Sequence, residues 1–143
     1  MTRAHWISTL SRIFCGLVFF FHGTPKILNL EGTRTFFENV GVPGALALPI
    51  AVLEFGGGIL LAAGLLTRVL AWLFIAEMFV AGLLVHVSSG WDVFEGGFEY
   101  NIALILLLLT VVLFGSGPIS VDNVIGLRRE KATSPKPGEA TIR

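Results

Sequence analysis

The side chains of this chain that can do chemistry sit mostly inside long apolar runs. Arg12 lies ahead of Ile13-Phe14-Cys15, Glu54 follows Ala51-Val52-Leu53, and Glu77 follows Ile75-Ala76. An ionisable group at bilayer depth costs about 2.5–3.5 kcal/mol on insertion scales, so it turns toward protein or water and often marks a site. Carboxylates in such a setting suit proton exchange. A guanidinium has five donors and can hold two carboxylates at once. At about 1.5 Å per helical residue, Glu54 and Glu77 both fall near the middle of their segments, and Arg12 lies in the inner half of its own. The expectation is therefore a central cluster of Arg12, Glu54 and Glu77. Its use is open at this point: it exchanges protons or holds a substrate, or it only neutralises itself and fixes how the helices pair.

Five further residues are candidates for holding a ligand or cofactor: His22, Lys26, His86, Glu99 and Asn101. His22 and His86 lie near the same end of their segments, as haem ligands would. However, His86 is nine residues from Glu77 and points to the opposite side of its helix, which disfavours haem. Lys26 can pair with Glu54 or Glu99, or extend its ammonium to the headgroups, which is the favoured reading. Glu99 and Asn101 open the last apolar segment, where a carboxylate suits the positive end of the helix dipole. Cys15 is the single cysteine. It reads as a small buried hydrophobe, with no Cys-x-x-Cys pair for redox relay. Neither His-Glu-x-x-His, nor a phosphate loop, nor a dinucleotide glycine motif, nor a nucleophile elbow occurs, and no metal site is assigned.

The elements that position these residues are membrane helices. Hydrophobic residues make up 54% of the 143 and charged residues 14%. A soluble domain carries about 25% charged residues to wet its surface. Ten basic and ten acidic residues cancel, so no basic field exists to hold nucleic acid. Four segments have the length and composition to cross a bilayer, at about 6–28, 45–66, 69–87 and 98–114. Lipid offers no partner to a free backbone N–H or C=O, so each must be helical. The fold class is all-α, an integral membrane four-helix bundle. Residues after Phe19-Phe20-Phe21 offer no signal-peptide cleavage site, so the first segment reads as retained.

Helical geometry sharpens the first segment. At about 100° per residue, Arg12, Cys15, Gly16, Phe19, His22, Gly23 and Lys26 fall within about 120° of one another. Its ionisable groups share a stripe with its glycines, and small residues let helices approach closely. Glu54 likewise has Gly57 and Gly58 one turn away. Pro25 should free the carbonyl of Phe21 and bend the first helix. Thr67-Arg68 is a short connection that makes the second and third helices antiparallel neighbours. Ser120 begins a short juxtamembrane helix through Leu127. The tail over 128–143, with Pro135, Pro137 and Gly138, reads as disordered.

Orientation follows the basic residues. Arg3, Arg12, Arg68, Arg128, Arg129, Lys131, Lys136 and Arg143 flank one side, and Lys26 and Arg34 the other. This excess places both termini in the cytoplasm. The loop Trp91-Asp92-Val93-Phe94-Glu95-Gly96-Gly97 lacks basic residues and suits the external face, with Trp91, Phe94 and Tyr100 at the interface.

The order of these motifs resembles the DoxX family. The matching pieces are Arg12 with Phe21-His22-Gly23-Thr24-Pro25-Lys26, Glu54-Phe55-Gly56-Gly57-Gly58-Ile59-Leu60, and Gly64-Leu65-Leu66-Thr67-Arg68. His86, Gly97-Phe98-Glu99-Tyr100-Asn101 and Gly115-Ser116-Gly117-Pro118-Ile119-Ser120-Val121-Asp122 follow. Gly115-Ser116-Gly117-Pro118 departs slightly from the Gly-Pro-Gly form of the family. The resemblance implies a four-helix protein of the bacterial inner membrane. It also implies a small subunit of a quinone-linked redox system, working with a membrane or redox partner protein. Quinone is then the expected cofactor, with Glu54 or Glu77 exchanging its protons, Arg12 tuning them and His22 donating to a carbonyl oxygen. No electron carrier is encoded, so a partner or the quinone itself must supply electrons. Two rivals stand beside it: a non-enzymatic scaffold for another membrane protein, and a proton-coupled transporter that needs a homo-oligomer to form a pathway.

Overall fold

The computed structural model describes residues 3–126. Among these the chain is helical, with no strand. We number the main helices α1 (Arg3–Leu28), α2 (Leu30–Asn39), α3 (Gly44–Ala63), α4 (Thr67–Ser89) and α5 (Glu99–Phe114). α1, α3 and α4 are long and apolar enough to cross a membrane. α5 is apolar throughout but has 16 residues, about 24 Å at the usual helical rise. Residues 121–126 form one further short helical stretch, and Ser120 Oγ accepts from Asn123 N at its start, 3.1 Å. The segment at 128–143 lies outside the described residues.

α1 is the central element. It packs against α3 and α5, while α4 packs chiefly against α5. The α1–α3 seam is a backbone contact made by glycines. A Cβ on Gly16 would lie 2.6 Å from Ala62 N, and one on Gly58 would lie 2.6 Å from Phe20 N. A Cβ on Gly23 would collide with the backbone of Glu54 and Phe55. α3 and α4 are joined by the turn Gly64-Leu65-Leu66, but large side chains hold them further apart. Leu70 and Phe74 of α4 reach across to Gly57. Phe74 also stacks on Phe19 with ring centroids 3.7 Å apart, at the centre of a core with Cys15, Leu61, Leu104 and Leu108.

Outside this core the apolar residues face outward. Trp72, Leu73, Phe79, Val80, Leu83 and Leu84 of α4 are all exposed. Such a surface would be untenable in water and is what a lipid-facing helix requires.

Two helices depart from regular α geometry. Leu53–Gly57 in α3 and Gly82–His86 in α4 each make one wide π-type turn. The first carries Glu54. π-turns inside α-helices are often found at functional sites. α2 is an amphipathic helix in the stretch between the first two spanning segments, where no apolar run marks it. Asn29 caps it through Gly32 N, 3.0 Å, and Phe37 is its buried anchor. It has ten residues with charges among them, so it is too short and polar for a spanning signal.

Candidate functional site

The structure splits the expected cluster in two. Arg12 does not meet Glu54 or Glu77. It is 1% exposed and turns toward the end of the bundle where α3 passes into α4. Its Nη1 donates to Leu61 O at 2.8 Å and to Ala62 O, its Nη2 to Ile119 O at 2.5 Å, and its Nε to Ser116 O at 3.1 Å. The reason is the unsatisfied carbonyls at the end of a helix. α3 ends in a Schellman turn, with Leu65 N bonded to Leu60 O and Gly64 N to Leu61 O, and Gly64 has φ +79°. Arg12 supplies the remaining donors there and ties α3 to the segment after α5.

Asp122 completes this clasp. Its Oδ1 accepts from Leu66 N at 3.0 Å and its Oδ2 from Thr67 N at 2.9 Å. It thus caps α4 from a remote part of the chain and holds Leu66 at φ 53°, an uncommon value for a residue with a side chain. Its charge acts on Arg12. Asp122 stood in the sequence only as the end of a motif, and nothing local marked it as a cap fifty-five residues distant from Thr67.

Lys26 takes the place that Arg12 was expected to fill. Its side chain turns inward from the end of α1 and does not reach for the headgroups. Nζ lies 2.6 Å from both oxygens of Glu54 and donates to Oε1. Glu54 is 2% exposed and Lys26 28%. Gly23 brings α1 onto the backbone of Glu54, which is what makes the pair reachable. The Glu77 side chain from α4 neighbours Glu54, and the two carboxyl groups act on one another electrostatically. Glu77 Oε2 is buried without a hydrogen-bond partner, and Glu54 Oε2 is buried with the Lys26 ammonium as its ion-pair contact. A second carboxyl group therefore adjoins the Glu54–Lys26 pair, with Glu54 and Glu77 each about ten residues or 15 Å from the start of its helix, α3 and α4. An open cavity of about 260 Å³ adjoins Lys26 between the end of α1 and α2, with Pro25, Asn29, Thr33 and Phe36 on its walls.

The other candidates are placed as follows. Asn101 is buried and its Nδ2 donates to Met78 O, 3.2 Å, so it flanks the residue next to Glu77. Glu99 Oε1 accepts from Val93 N at 3.1 Å, and His86 Nδ1 donates to Gly96 O at 2.8 Å. Both order the loop over 90–98. His22 leaves the buried stripe: it is exposed, with its ring 6.3 Å from that of Tyr100. The stripe holds for Arg12, Cys15, Gly16, Phe19 and Gly23, which are all buried. Among the described residues no group of three or more His, Cys, Asp or Glu is placed to hold a metal ion.

Comparison with known proteins agrees with this architecture. The DoxX family profile matches residues 7–87, which include Arg12, Lys26, Glu54 and Glu77. A Bacillus subtilis protein named "Putative oxidoreductase CatD" is 34% identical over 123 residues, covering 85% of this chain and 90% of its own. The Escherichia coli "Inner membrane protein YqjF" is 29% identical, covering 81% and 89%, and "Inner membrane protein YphA" is 30% identical, covering 79% and 86%. No solved structure matches significantly. The chain is a membrane protein and belongs to the DoxX family.

Proposed function

We propose that this protein is a small subunit of a quinone-linked redox system in the bacterial inner membrane, with both termini in the cytoplasm. The observation that carries the reading is a second carboxyl group, Glu77, with a buried oxygen lacking a hydrogen-bond partner, beside the Glu54–Lys26 ion pair. One ammonium balances one carboxylate. The second carboxyl group balances only by holding a proton, and a proton held between the two would also satisfy the orphaned oxygen of Glu77. A site that stores one proton at bilayer depth suits a ligand that takes up protons there.

Quinone is such a ligand. Its reduction to quinol takes two electrons and two protons. In this reading Lys26 donates to a quinone oxygen from the wall of the cavity beside α2, the Glu54–Glu77 pair delivers one proton, and the second comes from water at the open side of that cavity. The cavity, about 260 Å³, takes a headgroup ring and leaves the isoprenoid tail in lipid. Electrons come from a partner protein. The printed name of the Bacillus subtilis relative, an oxidoreductase, supports the class of chemistry.

The test is binding of a short-chain quinone to the purified protein, followed by ligand-dependent fluorescence quenching. Saturable binding that weakens about tenfold or more in Glu54→Gln and in Lys26→Met is expected. Absence of binding, together with indifference to both substitutions, would overturn the reading.

A further inference from the structure

The opposite end of the bundle holds a second cavity, of about 510 Å³, where α3 turns into α4 and α5 ends. Its walls include Thr67, Arg68 and Val69 from the start of α4, Phe114 from the end of α5, His5 and Asp122. It is remote from Lys26 and plays no part in the function proposed above.

Three observations bear on what it holds. The first is charge. Arg12 and Asp122 offset one another in the clasp, and both Asp122 oxygens are taken by Leu66 N and Thr67 N. Arg68 remains, exposed, without a hydrogen bond or ion pair among the described residues. The second is an orphaned donor. Thr67 is 1% exposed and its hydroxyl has no hydrogen-bond partner, although it stands on the cavity wall. Buried polar atoms are rarely left so, and an orphaned hydroxyl beside a free arginine suits an oxyanion. The third is the rim. Leu66, Val69 and Phe114 are exposed apolar residues beside these polar groups, at the level where the helices end. An amphiphile with a charged head and oily tails matches that division.

We propose that this cavity binds a phosphate oxyanion, with Arg68 as its charged partner and Thr67 as a supporting donor. The oxyanion belongs to the headgroup of an anionic phospholipid or to free phosphate. The apolar rim favours the lipid. Basic pockets between membrane helices at the cytoplasmic face take such headgroups.

The experiment uses the purified full chain in a neutral detergent and native mass spectrometry. The probes are phosphatidylglycerol, phosphatidylcholine and inorganic phosphate. Phosphatidylglycerol is expected to bind at least about fivefold more tightly than phosphatidylcholine, which is the worth of one basic residue at a membrane surface. Arg68→Gln should abolish that preference, Arg68→Lys should keep most of it, and Arg34→Gln, at the other end of the molecule, should leave it unchanged. Displacement of the lipid by inorganic phosphate assigns the site to the free ion, and its failure assigns the site to the lipid. Thr67→Val gives an independent readout: the empty protein should gain stability, because an orphaned hydroxyl is removed, while headgroup binding weakens. Equal binding of the two lipids, or a preference that survives Arg68→Gln, overturns the proposal.

Discussion

Replacing Lys26 by Met tests the central ion pair most directly, because Met keeps the length of the stem and removes the charge. Glu54 would be left as a buried carboxylate without its cation, since it is 2% exposed. Removing one partner of a buried pair costs about 3–5 kcal/mol. Lys26 is 28% exposed, so water already screens part of the attraction, and about 2–3 kcal/mol is the reduced expectation. Glu54→Gln should cost less, about 1 kcal/mol, because the freed ammonium can swing to the headgroups or engage Glu77. The double variant Lys26→Met with Glu54→Gln has no stranded charge and should also lie within about 1 kcal/mol of the natural protein. The three results give a coupling energy of about 2 kcal/mol. Unfolding in mixed detergent micelles, followed by loss of helical circular dichroism, measures each value. A coupling below about 0.5 kcal/mol would mean that the contact contributes no more than a surface pair, and the cluster would lose its physical basis.

Other substitutions probe the frame around it. Gly58→Ala places a Cβ against the backbone of α1 and should destabilise by about 1–3 kcal/mol, whereas Gly56→Ala meets nothing within 4 Å and should gain up to about 1 kcal/mol from helix propensity; the same unfolding assay compares them. Arg12→Lys cannot span the carbonyls of Leu61, Ser116 and Ile119 with one ammonium, and losing two charge-assisted bonds should cost about 3 kcal/mol, with faster hydrogen exchange at the start of α4. Asp122→Asn keeps one acceptor for the two N–H groups of Leu66 and Thr67 and should cost about 1–2 kcal/mol, read as a lowered midpoint of thermal unfolding.

The spanning helices were legible because lipid imposes one rule on every residue: long apolar runs must be helical. The glycine stripe was legible for the same kind of reason. Gly16 and Gly23 repeat on one face of α1, Gly58 lies one turn from Glu54 on α3, and a helical face is a local property of sequence. Partner choice was not local. Depth alone placed Arg12 near the carboxylates, but the carbonyls at the end of α3 and after α5 converge on its guanidinium, which has a donor for each. Lys26 seemed free to reach the headgroups. It turns inward because Gly23 removes the space between α1 and Glu54, a tertiary fact that appears only when the seam is built. His22 missed its assigned face for the opposite reason. The stripe is wide, and a residue at its edge falls on either side of the contact. α2 escaped notice because ten residues with mixed polarity give neither a spanning signal nor a strong period.

Two charged groups in one small bundle invite a common explanation, yet their balance differs. At the α3–α4 end, Arg12 donates only to carbonyls, its charge faces Asp122, and the carboxylate of Asp122 caps two backbone N–H groups. Arg12 and Asp122 are thus both used in holding helices together, and the charge of each is offset by the other. Toward the other end, one lysine pairs with Glu54, and Glu77 beside it has a buried oxygen with no hydrogen-bond partner. A purely structural pair would need Lys26 and Glu54 alone. Glu77 adds a second carboxyl group from a different helix, which worsens the balance unless a proton accompanies it. Packing alone gives no reason to keep such a residue, because an apolar side chain of similar volume would stabilise α4 more. The surplus carboxyl group at Glu77 is therefore the feature on which the proposed proton exchange rests, and Glu77→Leu, which removes it, should leave the bundle at least as stable while abolishing any proton-linked ligand binding.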